Sequence, residues 1–400
     1  MQKISIKVFT QMFYPDIAST GKVLSDLFLN LDNKFQVEVI AQNRSYVDKN
    51  KSFNSEDRIG NTYIKRIKVV KVDKNNIFSR IIGFIQLYFS FKKELKNSNE
   101  DIYFCVSNPP FLPYLTVKEA KKKNKKSVFL LHDLYPDVLE KLNKIKKSSL
   151  IFKIIKKMNK YAFENSSKIV VLGRDAKEYL MDNYNIQEDK IEIITNWSKK
   201  DYKSINYDFR KEYNLENCFL VMYTGNIGET AEFETLLKTA KKIENKNIKF
   251  VIIGNGRKKE IIKDEIERLN IKNILLLNYQ PEEKYYDVLS SADLFYLSLN
   301  KNLKGISVPS KTYTYLSIGK PLIAVVPKES EIGLSIREDN YGIYNNYNFE
   351  KLSKDILDLY ENKELYLEYK KNAENTFTKK YNREKVIEKY NELFKELEEK

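Results

Sequence analysis

Residues 305–326 read GISVPSKTYTYLSIGKPLIAVV: an extended apolar start, a Pro-Ser-Lys step, a short helical run, Gly-Lys-Pro, then a β-branched strand. Such a corner joins strand to helix to strand, the crossover unit of an α/β sheet. It also suits a phosphate. Ser310 fits a helix N-cap, the free N–H groups of a helix start attract anions, and Lys311 adds a full positive charge there. Locally, the structural and the phosphate-binding readings stand side by side.

The same alternation extends outward. Strand-like runs fall at 219–225, 248–254, 274–277 and 293–299 before the corner, and at 4–10, 37–41, 63–70, 102–107, 127–131, 168–172 and 191–195 in the first half. Helical periodicity separates most of them, at 20–31, 78–96, 111–123, 149–164 and 174–184, then at 230–244, 258–269 and 281–291. Short β-branched strands alternating with helices predict parallel sheets covered on both faces. Segment 196–214 breaks the pattern and reads as a linker, and the chain from Phe349 on is helical by pattern. Two doubly wound domains follow, 1–200 and 201–382, with 383–400 reaching back over the first.

Composition narrows the function. With 42% hydrophobic residues, 12 Gly and 9 Pro, the chain has ample core. Cys105 and Cys218 lie in apolar runs and read as buried hydrophobes of a reducing cytosol. The start MQKISIKVFT lacks the features of a signal peptide, and FSRIIGFIQLYFSF at 78–91 is too short, and carries Arg80 and Gln86, for a spanning helix. Charge is lopsided. Residues 1–200 hold 37 Lys and Arg against 22 Asp and Glu, whereas residues 201–400 hold 33 of each. This predicts an anionic partner for the first half. Residues 141–160, KLNKIKKSSLIFKIIKKMNK, hold eight lysines and no acid, with Leu150, Ile151, Ile154, Ile155 and Met158 at helical spacing opposite Lys153, Lys156, Lys157 and Lys160. That composition predicts a helix lying in an anionic membrane interface, and KKKNKK at 121–126 adds five lysines. The same stripe could instead pack on the sheet. Nucleic acid is not expected, because the basic residues are not interleaved with an aromatic stacking platform.

In doubly wound sheets, ligands bind beyond the carboxyl ends of strands. TGNIGET (224–230) offers Gly225, Asn226, Ile227 and Gly228 as a turn whose N–H groups could approach a phosphate, although such turns are also structural. GNGRKK (254–259) has Lys259 where a dinucleotide fingerprint needs its last glycine, and Gly319-Lys320 lacks the earlier P-loop glycine, its place taken by Thr314. Neither nucleotide motif holds. One histidine, no cysteine cluster and no Asp-x-Asp pair predict that no metal or cofactor is needed. His132 and Asp133 stand directly after a strand, where a ligand residue of the first domain belongs.

The ordered set SNPPFLPYL (107–115), HDLYPDVL (132–139), IVVLGRDAKEYL (169–180), KIEIITNW (190–197), YTGNIGETAEFETLLKTA (223–240), FVIIGNG (250–256), SSADLFYLSL (290–299) and VPSKTYTYLSIGKPLIA (308–324) resembles family 4 of the retaining glycosyltransferases, in the bacterial branch that builds capsular, colanic-acid-like and O-antigen polysaccharides. The resemblance runs through nearly the whole chain. It implies a GT-B fold: two Rossmann-like domains facing a central cleft, sugar nucleotide on the second, acceptor on the first, no obligatory metal.

Departures accompany it. Family glutamates eight positions apart align with Ile306 and Thr314, and an Arg and a Lys of the wider family align with Asn226 and Ala231. The resemblance leaves the Gly225–Gly228 turn, Ser310 and Lys311 for the diphosphate, with Thr314 at the ribose position and Asn278, Tyr279 and Gln280 for base and ribose. His132 and Asp133 would face the donor sugar, and Asp16 and Gly21 the acceptor. The implied activity is transfer of a hexose or N-acetylated amino sugar from a nucleotide diphosphate, UDP foremost, to a lipid-linked or growing glycan at the inner face of the plasma membrane. Two rivals are a non-catalytic glycan- or partner-binding subunit, suggested by Ile306 and Thr314, and a sugar-nucleotide 2-epimerase, which would need more cleft carboxylates and histidines.

Overall fold

A computed structural model describes residues 3–46, 48, 50–70, 77–200, 203–244 and 246–399. Contacts divide the chain into Met1–Thr195 with Val386–Lys400, and Asn196–Lys385. The sequence pattern had put the division after residue 200. Of the expected linker, residues 201 and 202 lie outside the described residues; most of the rest is irregular, with one short helix at Phe209–Glu212.

Strands of the first unit are β1 (Ile4–Phe9), β2 (Phe35–Gln42), β3 (Glu56–Ile59), β4 (Thr62–Ile67), β5 (Ile102–Val106), β6 (Lys126–Leu131), β7 (Lys168–Val171) and β8 (Ile191–Ile193). They form one sheet in the order β3-β4-β2-β1-β5-β6-β7-β8. Pairing is parallel throughout except β3 against β4. The parallel centre is apolar because helices cover both faces: all five residues of β5 are buried. The edge strand β3, EDRI, has no buried face, so the apolar pattern did not reveal it. Its one sequence signal is Gly60-Asn61, the two-residue turn between the paired Ile59 and Thr62, with Gly60 at φ +56°.

The final helix, Arg383–Glu399, belongs to this unit from Val386 on. Its Phe394 packs on Phe28, Phe35 and Phe104 at ring separations of 6.3, 5.9 and 6.1 Å, and Asn391 Nδ2 donates to Asp32 at 3.1 Å.

The second unit holds β9 (Phe219–Asn226), β10 (Ile248–Asn255), β11 (Ile274–Leu277), β12 (Leu294–Ser298), β13 (Leu322–Val325) and β14 (Gly342–Asn345), all parallel, in the order β11-β10-β9-β12-β13-β14. Strand β14 also escaped the sequence pattern, being four residues long and opened by a glycine. Gly342 has φ +157°, and a β-carbon on it would sit 1.9 Å from the Leu322 carbonyl oxygen. Each unit has a switch point where the strand order reverses, between β1 and β5 in the first and between β9 and β12 in the second. Ligands of such sheets bind at the carboxyl ends there. Among the described residues, no helix is long and apolar enough to cross a membrane.

Candidate active site

At the switch point of the second unit, β9 stays paired to its last residue, Gly225 opposite Gly254 and Asn226 opposite Asn255. The two following loops then pack backbone on backbone. A β-carbon on Gly254 would sit 1.9 Å from the Gly225 oxygen, and one on Gly256 2.3 Å from the Ile227 oxygen, so only glycine fits at both places. This pairing changes what the turn can offer. Ile227 N–H donates to the Asn255 carbonyl at 2.9 Å and is therefore spent, which corrects its expected place in a phosphate cradle. Nor does the turn open a helix directly, since the next helix starts at Glu234. Gly228 stays close to Asn226, whose Nδ2 would be 2.6 Å from a β-carbon there.

Lys311 meets this turn from the other side of the switch point, in the loop-to-helix step after β12. Its Cε lies 3.1 Å from where a β-carbon on Gly225 would be. The ammonium is held from the far side, Nζ donating to the Tyr285 hydroxyl at 3.2 Å. Its helix, Lys311–Ser317, is bolted to β12 and β9: Tyr315 stacks on Phe295 of β12 with centroids 4.0 Å apart, and its hydroxyl accepts from Thr224 N–H of β9 at 2.9 Å and donates to the Thr224 carbonyl at 3.1 Å. Ser310 corrects an expectation. It has helical backbone angles and its side chain makes no capping hydrogen bond. Thr314 lies one turn beyond Lys311, half-buried. Ile306, at the other glutamate position, is only 3% exposed and belongs to the core.

The loop after β11 completes the rim. Lys259, just past Gly256, donates from Nζ to Asn278 Oδ1, Gln280 Nε2 donates to the Asn278 carbonyl at 3.2 Å, and Tyr279 is exposed. The structure thus brings together the Gly225–Gly228 turn, Lys311 and, two strands out from β9, Asn278–Gln280.

Three residues missed in the sequence join them. Tyr285 orients Lys311. Lys258 Nζ lies 3.8 Å from Glu229 and 3.4 Å from the Ala231 carbonyl, which puts a cation beside the alanine that stands where the wider family has lysine. The KK of GNGRKK was its signal. Glu232 accepts from Thr235 N–H at 2.8 Å and from the Tyr296 hydroxyl at 3.3 Å, and burial raises its carboxyl pKa. Among the described residues, no group of three His, Cys, Asp or Glu could hold a metal ion.

In the first unit, His132 and Asp133 follow β6 directly and are half-buried, and Asp133 N–H donates to Ser107 Oγ at 3.3 Å, tying the ends of β6 and β5. Asp16 and Gly21 differ from expectation. Asp16 is 5% exposed, its carboxylate accepting from Ala18 N–H at 3.2 Å, Ser45 Oγ at 3.3 Å and Tyr46 N–H at 2.7 Å. It braces two loops. Gly21 is buried, and a β-carbon on it would lie 3.3 Å from both the Asp16 oxygen and Met12 Cβ, so it serves close packing.

Residues 21–197 match the family profile described as Glycosyltransferase Family 4, and residues 206–376 that described as Glycosyl transferases group 1. The probable glycosyltransferase WbjE of Pseudomonas aeruginosa is 26% identical over 69% of this chain and 70% of its own length. The poly(ribitol-phosphate) alpha-N-acetylglucosaminyltransferase of Staphylococcus aureus is 24% identical over 91% and 68%. Anabaena HepE, solved in complex with UDP and glucose, superposes with a TM-score of 0.71 at 12% identity, over 98% of this chain and all of its own. Two parallel-sheet α/β domains of this topology, matched to these profiles, define a glycosyltransferase. The chain belongs to the family 4 glycosyltransferases, with the GT-B fold.

Proposed function

We propose that this enzyme is a retaining hexosyltransferase moving a hexose or N-acetylated amino sugar from UDP to a lipid-linked or growing polysaccharide acceptor, in the cytoplasm and without a metal ion. The observation that carries this reading is Lys311, whose aliphatic stem lies over a residue with no side chain while its ammonium meets the Tyr285 hydroxyl, at the switch point where a ligand of such a sheet sits. A diphosphate fits there. Lys311 is its principal cation, Lys258 a second one across the turn, and glycine at 225 and 228 keeps β-carbons out of the turn, where the Lys311 stem and the Asn226 amide lie instead. The exposed ring of Tyr279, flanked by Asn278 and Gln280, suits a nucleobase, and the Thr314 hydroxyl suits the ribose.

In the reaction, the bond from the sugar's anomeric carbon to the phosphate oxygen breaks while the acceptor hydroxyl oxygen bonds to that carbon. Retention follows when the leaving phosphate stays on the acceptor's face and takes the hydroxyl proton. The protein's task is electrostatic: Lys311 and Lys258 stabilise the charge that grows on the diphosphate. The complex of HepE with UDP and glucose supports the choice of nucleotide, and the named acceptor of the S. aureus relative supports a polymeric one.

Mass-detected transfer from a panel of nucleotide sugars to extracted lipid-linked glycans tests the reading. Glycosylated acceptor and released UDP are expected. Binding without turnover would make the chain a non-catalytic partner, and an epimerised nucleotide sugar would make it an epimerase.

A further inference from the structure

Two helices of the first unit present apolar residues to solvent, and only one was foreshadowed by the sequence. In helix Leu150–Asn165, the residues that pack inward are Phe152, Asn159, Ala162 and Phe163. Leu150 and Ile151 are 72% and 64% exposed, with Ile154 beside them. Packing on the sheet therefore does not account for that stripe. Alongside it stand Lys153 and Lys157, exposed and without an ion pair among the described residues.

The second helix is Ile77–Asn97. Ile82, Ile85 and Phe89 recur at helical spacing on its outer face, 58% exposed at Ile82 and 61% at Phe89. The same face continues into exposed Lys92, Lys93 and Lys96. Helix Leu112–Lys122 packs between the two, Phe84 and Tyr88 meeting Phe111 on one side and Tyr114 meeting Tyr161 on the other. The two stripes thus lie on the two helices that flank Leu112–Lys122 in one layer, one stripe in the first turns of Leu150–Asn165 and the other reaching the middle of Ile77–Asn97.

We propose that these stripes form one docking surface for an anionic phospholipid bilayer, with Ile82, Ile85, Phe89, Leu150, Ile151 and Ile154 entering the headgroup boundary. The flanking lysines contact lipid phosphates from the same face. Charge complementarity selects this occupant. The lysine surplus of the chain is confined to residues 1–200, and apolar residues bordered by lysines are the pattern of helices that lie in an anionic interface.

Two expected contributors drop out. Lys156 pairs with Asp137 at 3.4 Å and stands 4.6 Å over the Tyr184 ring. In the 121–126 run, Lys123 holds the Leu95 and Lys96 carbonyls at 2.8 and 2.9 Å, and Lys125 pairs with Asp101 at 3.3 Å.

The proposal does not depend on the donor or on turnover, and co-sedimentation of the full chain with vesicles tests it. Binding to phosphatidylglycerol-rich vesicles should fall steeply with salt and be near zero on phosphatidylcholine alone. Each lysine at such a surface contributes about fivefold, so Lys153→Gln with Lys157→Gln should lose about 25-fold. Ile82→Asn with Phe89→Asn should lose at least about tenfold. All four positions are exposed, and unchanged thermal melts would establish that the variants fold. Equal partition onto neutral and anionic vesicles, no binding, or binding that neither variant reduces would overturn the proposal. So would a dimer in sedimentation velocity that Ile82→Asn with Phe89→Asn dissociates, because a second copy would then own the surface.

Discussion

Lys311 lies across Gly225, its Cε 3.1 Å from where a β-carbon on that glycine would stand, and Gly225 holds φ +141° to make room. The cation and the turn are one device. Gly225→Ala should damage both of its parts, since an L side chain is strained at that φ and its methyl would press on the Lys311 stem. A loss of about 1 kcal/mol should lower the melting temperature by about 2–4 °C. UDP binding should weaken as Lys311 is displaced. A variant with wild-type melting and wild-type UDP affinity would separate the glycine from the site.

Tyr315→Phe tests how the Lys311 helix is fastened to β9. The substitution keeps the stack on Phe295 but leaves the buried Thr224 N–H without its acceptor at 2.9 Å. An unmet buried donor costs about 1–3 kcal/mol, readable as a lower urea midpoint with an unchanged slope. An unchanged midpoint would mean that the hydroxyl contributes nothing to the fastening.

Glu232 sets a pH dependence. Burial raises its carboxyl pKa, against hydrogen bonds from Thr235 and Tyr296 that pull it down. The folded protein therefore keeps this proton at pH values where the unfolded chain, with glutamate near about 4.3, has lost it. Stability then falls as pH rises through the interval between the two values and does not recover above it. Glu232→Gln removes that proton equilibrium while keeping an acceptor for Thr235. Melting curves of the two proteins should converge near pH 4 and part above it, with the glutamine variant more stable at neutral pH. Parallel curves would contradict this.

Chelation separates lysine-based from metal-based charge stabilisation. With Lys311 and Lys258 as the cations, transfer should continue in excess EDTA at close to its untreated rate. Loss of activity that Mg²⁺ restores would require a metal at the diphosphate.

The parallel strands were legible because strands buried on both faces must be apolar along their length, as FCV and FVIIG are in β5 and β10. The edge strand β3 has no buried face and so lacks that constraint, whereas β14 is mostly buried but only four residues long and opened by a glycine, too short a run to stand out. Lys311 and the Gly225 turn were legible as positions after strands. Their contact was not, because it depends on two strand ends becoming neighbours in the sheet. Asp16 misled for the same reason: its partners Ser45 and Tyr46 lie on a loop that only the fold brings near. The stripe at Ile82, Ile85 and Phe89 lay within the most apolar stretch of the chain, but apolarity alone does not say which helical face is left outside.

The most direct test of the central claim is calorimetric titration of UDP into the wild-type chain, Lys311→Ala and Lys311→Arg, paired with the transfer rate of each. A charge-assisted contact to phosphate contributes about 1.5–3 kcal/mol, so the alanine variant should bind UDP about 10- to 150-fold more weakly, with turnover falling alongside and arginine restoring only part of both. Wild-type affinity and turnover in Lys311→Ala, or no UDP binding by the wild-type chain, would contradict it.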